Sequence, residues 1–200
     1  MTKNQIDIIS RLNTQQKEVS KGWIEYWQEY SFFDTWQFWI NLLFLVLPLI
    51  ILWFKMDRSK AFHLGFYGFA VHIIFTYFDT ALVRYGLLTY PYQAIPLVPV
   101  NFGLDVSLIP VIFMLLYQWT MKYKKNYYLY SLMLSAFLAF VFKPILLFLD
   151  LIIWHKWVNP FYLFLFYIVI FCLAKWLTNL FLSFERQNVD KKGWDKTKKR

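Results

Sequence analysis

The sequence predicts an all-α polytopic membrane protein: a bundle of five transmembrane helices preceded by an N-terminal amphipathic helix. Three observations carry this expectation. The 200 residues are 59% hydrophobic and 23% aromatic, against about 45–50% apolar in an ordinary soluble domain. The apolar residues gather into five runs, each close to the roughly 20 residues that a helix needs to cross a hydrocarbon core of about 30 Å. The alternation of a transmembrane β-barrel is absent, and backbone in hydrocarbon must then satisfy its own hydrogen bonds as helix.

Residues 1–35 form the first segment. Trp23, Tyr26, Trp27 and Tyr30 follow i, i+3, i+4, i+7 spacing with Lys21, Glu25 and Glu29 around them, which is one aromatic face of a helix. Such a helix either lies on the membrane surface or leads straight into the first span, with its aromatic groups at headgroup level. The five spans, 36–54, 62–83, 104–121, 127–149 and 158–182, make up a transmembrane domain over 36–182. No cleavable signal precedes them, so the first span is expected to serve as its own insertion signal.

Between the second and third spans, residues 86–103 hold Pro91, Pro96 and Pro99. Prolines remove donors and push their predecessors toward extended backbone, yet this stretch is too apolar for a loop in water. Irregular backbone at membrane depth persists where protein buries it, so the stretch is expected to fold down over one mouth of the bundle. Residues 183–200, SFERQNVDKKGWDKTKKR, are basic and read as a mobile tail drawn to anionic lipid.

Net charge is +9, but the basic residues sit mostly at the ends of the apolar runs. They therefore read as topology signals, and no nucleic-acid partner is expected. Five spans put the termini on opposite faces. One face collects six Lys or Arg (Lys3, Arg11, Lys17, Lys21, Arg84, Lys156) and the other thirteen, including Lys55, Arg58, Lys60 and Lys122. The positive-inside rule puts the N-terminus outside and the C-terminus in the cytoplasm. The expected partner is the lipid bilayer, with other membrane proteins or a second copy as further candidates.

Charges inside the spans mark the candidate site. With this topology Asp79, Arg84, Asp105, Lys143 and Asp150 all fall in the outer half of the bundle. Charges can stay at such depth when paired, so Lys143 is expected to meet Asp79 or Asp105. His72, Thr76, Asp79 and Val83 share one helical face, as do Ala136, Ala139, Lys143 and Asp150. Pro144 cannot donate to the Phe140 carbonyl and Pro110 cannot donate to that of Val106, so two helices should loosen beside these charges. The candidate site is therefore His72, Asp79, Arg84, Asp105, Lys143 and Asp150, read either as an ion-pair cluster fixing helix register or as a solvent-filled chamber for a small solute. Lys175, near the inner end of the last span, is expected to snorkel to the interface.

Other chemistry finds no support in the residues. His63, His72 and His155 are scattered without metal-ligand spacing. The lone Cys172 makes no intrachain disulfide and no metal cluster. Nucleophile-elbow, phosphate-loop and dinucleotide motifs are absent, so no catalytic residue, cofactor or metal is assigned, and an enzyme is the weaker expectation. The stronger is a non-enzymatic membrane component for assembly, sensing or envelope support. The alternative is a small-solute or ion carrier using the outer polar groups.

The run PYQAIPLVPVNFGLDVSLIPVIFMLLYQW, residues 91–119, resembles the central signature of an uncharacterised family of small multi-pass membrane proteins from Bacillus, Clostridium and related Firmicutes. The likeness rests on the loop prolines, on Asp105 with Pro110, and on Leu115, Leu116, Tyr117 and Gln118. The proline-bearing fourth span and Trp154, Trp157 and Trp176 extend it over about residues 35–182. Where that family often carries an acid before the fourth-span proline, this chain has Lys143. The resemblance implies a bacterial cytoplasmic membrane and no particular activity.

Overall fold

The computed structural model describes residues 1–96, 98–155 and 158–198, with side chains as far as Glu185. The topology signal at Lys156, the indole of Trp157 and the basic side chains from Arg186 onward lie outside the described residues. Helix α1, Lys3–Tyr30, opens with a capping box in which Thr2 and Gln5 each satisfy the other's backbone N–H. A turn over residues 31–35 separates it from α2, Trp36–Lys55. The amphipathic segment is thus a helix of its own and not a lead-in to the first span.

A 3₁₀ turn, Arg58–Lys60, precedes α3, Ala61–Arg84. Asp57 caps that turn, and hydrogen bonds from the Ser59 hydroxyl and N–H hold its carboxyl below the usual carboxylate range. The third span begins as a π-helical turn, π1, Gly103–Leu108, and continues as α4, Ile109–Lys122. The fourth is α5, Tyr127–Phe137, a second π-turn, π2, Leu138–Phe142, and α6, Lys143–Phe148. Helix α7, Pro160–Lys198, begins under an Asn159 cap. No proline follows to stop it, so its backbone stays helical through the segment expected to be a mobile tail.

Five helical stretches, Trp36–Lys55, Arg58–Arg84, Gly103–Lys122, Tyr127–Phe148 and Pro160–Glu185, are long and apolar enough to cross a membrane. The distribution of side chains is the reverse of a water-soluble protein's. Helix α2 buries only Asn41 and Pro48 and exposes Leu43, Leu49, Ile50, Trp53 and Phe54, while Asp79, Asp105, Ser131, Ser135, Lys143 and Thr178 are interior. An apolar surface this continuous requires a partner or a bilayer. The core runs along the seam of α3, α4 and α7 through Val71, Phe75, Phe113, Tyr117, Tyr167 and Phe171.

One end of the bundle carries the connections Met56–Lys60 and Tyr123–Asn126 and is rich in lysine. The other carries the described residues of 85–102 and 149–159, and here the proline-rich stretch is a lid, as its composition suggested. Leu87, Leu88, Tyr90, Ala94, Val100 and Asn101 are all buried. Gln93 exchanges hydrogen bonds with the Ser31 hydroxyl and accepts from the Trp27 indole. Asn41 donates to the Tyr92 carbonyl at 3.2 Å and accepts from the Asn101 amide. Two residues of the lid, β1 (Leu88–Thr89), pair antiparallel with β2 (Ile153–Trp154). This ribbon departs from a purely helical expectation: two connections lying side by side at one end satisfy each other's backbone groups.

A buried charge cluster beneath the lid

The two prolines expected to loosen their helices do so in one manner. The Ile109 N–H, just before Pro110, bonds to the Leu104 carbonyl, and the Lys143 N–H, just before Pro144, bonds to that of Leu138. Each bond spans five residues, so the N–H just before each proline passes over the carbonyl of Asp105 or Ala139 and the turn widens ahead of the ring. Each turn also positions a charge. π1 presents Asp105 and π2 delivers Lys143 to the bundle interior.

Lys143, 2% exposed, donates from Nζ to the Tyr90 hydroxyl at 3.2 Å, and that hydroxyl donates to Asp79 Oδ1 at 2.9 Å. The ammonium therefore reaches its carboxylate through a phenol of the lid. The direct ion pair expected from the sequence is not the arrangement found. Asp105, 0% exposed, is the second carboxyl of the cluster and acts electrostatically on both Asp79 and Lys143. Its two oxygens, Asp79 Oδ2, the Ser107 hydroxyl and the Tyr167 hydroxyl are buried without a hydrogen-bond partner. Asp105 is also held through its backbone, where its carbonyl lies 2.8 Å from His72 Nδ1. A carbonyl only accepts, so Nδ1 carries the hydrogen; Thr76 Oγ1 lies 3.3 Å from the same nitrogen.

Of the six expected residues, the structure brings four together: His72, Asp79, Asp105 and Lys143. Arg84 and Asp150 are exposed and lie apart from them. Arg84 occupies the last turn of α3, where a cation complements the helix dipole. Asp150 would share the Lys143 face only if α6 continued; the helix ends at Phe148, and Asp150 adopts a left-handed turn at φ 55°. Asp79, Asp105 and Lys143 are each at most 4% exposed, which suits the packed cluster better than the solvent-filled chamber. Tyr90 and Tyr167 were missed. A tyrosine in an apolar run looks like packing until the fold sets its hydroxyl among charges.

A second polar network lies toward the lysine-rich end. Lys175, expected to snorkel, turns to the tyrosines of this network. It is half-buried, donates to the Tyr117 hydroxyl and lies 4.0 Å from that ring's centroid and 5.3 Å from that of Tyr127. The same hydroxyl lies 2.9 Å from His63 Nε2. Tyr127 donates to the Phe171 carbonyl at 3.1 Å, so Tyr67 donates to Tyr127 at 2.6 Å. The half of the bundle toward the lysine-rich end thus holds its own set of joined polar groups. A layer of rings divides the two networks: Phe113 contacts Tyr167 on one side and Phe171 on the other, and Phe75 stacks on Tyr167.

Among the described residues no three His, Cys, Asp or Glu side chains assemble as metal ligands. No known family, no curated protein and no solved structure matches the chain.

Proposed function

We propose that the chain is a non-enzymatic integral protein of a bacterial cytoplasmic membrane, with its N-terminus outside, whose buried charge cluster locks the proline-rich lid over the outer end of the bundle. The observation that carries this reading is the chain Lys143–Tyr90–Asp79. One lid residue joins a cation on the fourth span to an anion on the second, so the lid cannot lift without separating buried charges. The bilayer supplies the partner for the exposed apolar surface, and the lysine-rich end faces the cytoplasm by the positive-inside rule. The bacterial assignment draws on the resemblance of residues 91–119.

Helix α1 fits a place along the outer membrane surface. At 100° per residue, Ile8, Leu12, Val19, Trp23, Tyr26 and Tyr30 fall on one stripe, with Asp7, Arg11, Glu18, Lys21 and Glu25 gathered on a separate face. The helix buries none of its residues in the bundle. Its apolar stripe is suited to lipid.

Thiol labelling of intact cells tests the orientation. In a Cys172→Ser background, Ile95→Cys in the lid is expected to react with an impermeant reagent, and Lys125→Cys to be silent. The reverse pattern would place the lid in the cytoplasm. A second reading, an ion or small-solute carrier, is favoured by the unpartnered carboxyl oxygens of Asp79 and Asp105. The phenylalanine layer opposes it. Proteoliposomes are expected to hold an imposed proton or sodium gradient as long as empty vesicles do, and faster collapse would favour the carrier.

A further inference from the structure

The sealed cluster does not balance its charges. Asp79 and Asp105 face one ammonium, that of Lys143. An excess charge enclosed in an apolar interior is strongly disfavoured, so the cluster requires one more positive charge. The two carboxyls are not equivalent hosts for it. Asp79 already accepts from Tyr90, which suits an ionised group. Asp105 receives no donor on either oxygen. It begins the π1–α4 helix, yet none of the N–H groups there reaches its carboxyl. As a carboxylic acid it would lose the excess charge and gain a hydrogen to donate, and the hydroxyl of Tyr167 on α7, itself unpartnered, belongs to the same electrostatic cluster.

We propose that the Asp105 carboxyl is a buried proton-binding site, holding one proton while the lid is closed. The groups around it come from every neighbouring element: His72 and Asp79 from α3, Tyr90 from the lid, Lys143 from α6 and Tyr167 from α7, while α2 brings only the amide of Asn41. His72 turns its Nδ1–H to the Asp105 backbone carbonyl and not to the carboxyl, so the imidazole does not replace the proton on those oxygens. Loss of the proton would leave the cluster negative beneath the lid and favour its exposure to water. The inference rests on the reading of the cluster as a lid lock.

Infrared spectroscopy of the purified full chain at neutral pH tests it. The wild type is expected to show the C=O stretch of a protonated carboxyl, shifting in heavy water, and the isosteric Asp105→Asn variant to lose it. Loss alone does not separate the two acids, since either could hold the balancing proton. The Tyr90→Phe variant does, because Tyr90 bonds to Asp79: the band is expected to keep its frequency. A wild type without the band, a band surviving Asp105→Asn, or a band displaced by Tyr90→Phe would each overturn the assignment. None of these outcomes bears on whether the lid is locked, which is read from stability.

Discussion

At the scale of single residues, the lock depends on one hydroxyl and one ammonium. Tyr90→Phe keeps the ring and removes the bridge between Lys143 and Asp79. It is expected to lower stability by about 1–3 kcal/mol, the cost of leaving buried polar groups unpaired. Tyr77→Phe, at a ring 73% exposed, should have no measurable effect. Thermal unfolding in detergent compares them, and equal transitions would remove Tyr90 from the lock. Lys143→Met strands the buried Asp79 carboxylate and is expected to cost about 3–5 kcal/mol, the range for breaking a buried charge pair from one side. Lys175→Met should cost less, because its partners are neutral tyrosines and it lies half-buried. Comparable losses at the two lysines would deny the cluster its special role.

At the scale of elements, proline placement and one close approach decide how the charges meet. The π-turns lie just ahead of Pro110 and Pro144; π1 carries Asp105, and Lys143 directly follows π2. π1 also packs tightly on α2 at Gly103, where an added Cβ would meet the Asn41 carbonyl oxygen at 2.6 Å. Gly103→Ala is therefore expected to push α2 away and to cost about 1–3 kcal/mol, the usual price of overpacking. At Gly65 nothing lies within 4 Å, so Gly65→Ala should be neutral or stabilising by up to about 1 kcal/mol through helix propensity. Unfolding of the pair in one detergent checks the contrast, which reverses if α2 is free to shift.

For the whole molecule, the inside-out distribution of polarity and the separate α1 set the expectations. Since α1 buries none of its residues in the bundle, removal of residues 3–22 should leave the unfolding temperature of the bundle unchanged. The remaining Trp27 and Ser31 still hold Gln93 of the lid. A large fall would mean that α1 packs on the bundle and not on lipid. The two polar networks, one under the lid and one near the lysine-rich end, are separated by Phe75, Phe113 and Phe171. Opening of the lid would therefore expose the charge cluster to one side only.

Much of this was legible in the chain alone. Run length and apolar content determined the five helices to within a few residues, save the far end of α7, which runs on to Lys198, because hydrocarbon leaves the backbone no other way to bond. Proline positions foretold both loosened helices and the irregular lid, since a missing donor acts locally. Which charges would meet was decided only by tertiary structure. Helical phase put Asp150 with Lys143, but α6 ended first; depth put Arg84 near Asp79, but a long side chain at a helix end turns outward. Tyr90, Tyr167 and the companions of Lys175 carried no signal of their own. Their hydroxyls gain meaning only when folding sets each beside a group far away in the chain, and contacts of that kind leave no periodicity to read.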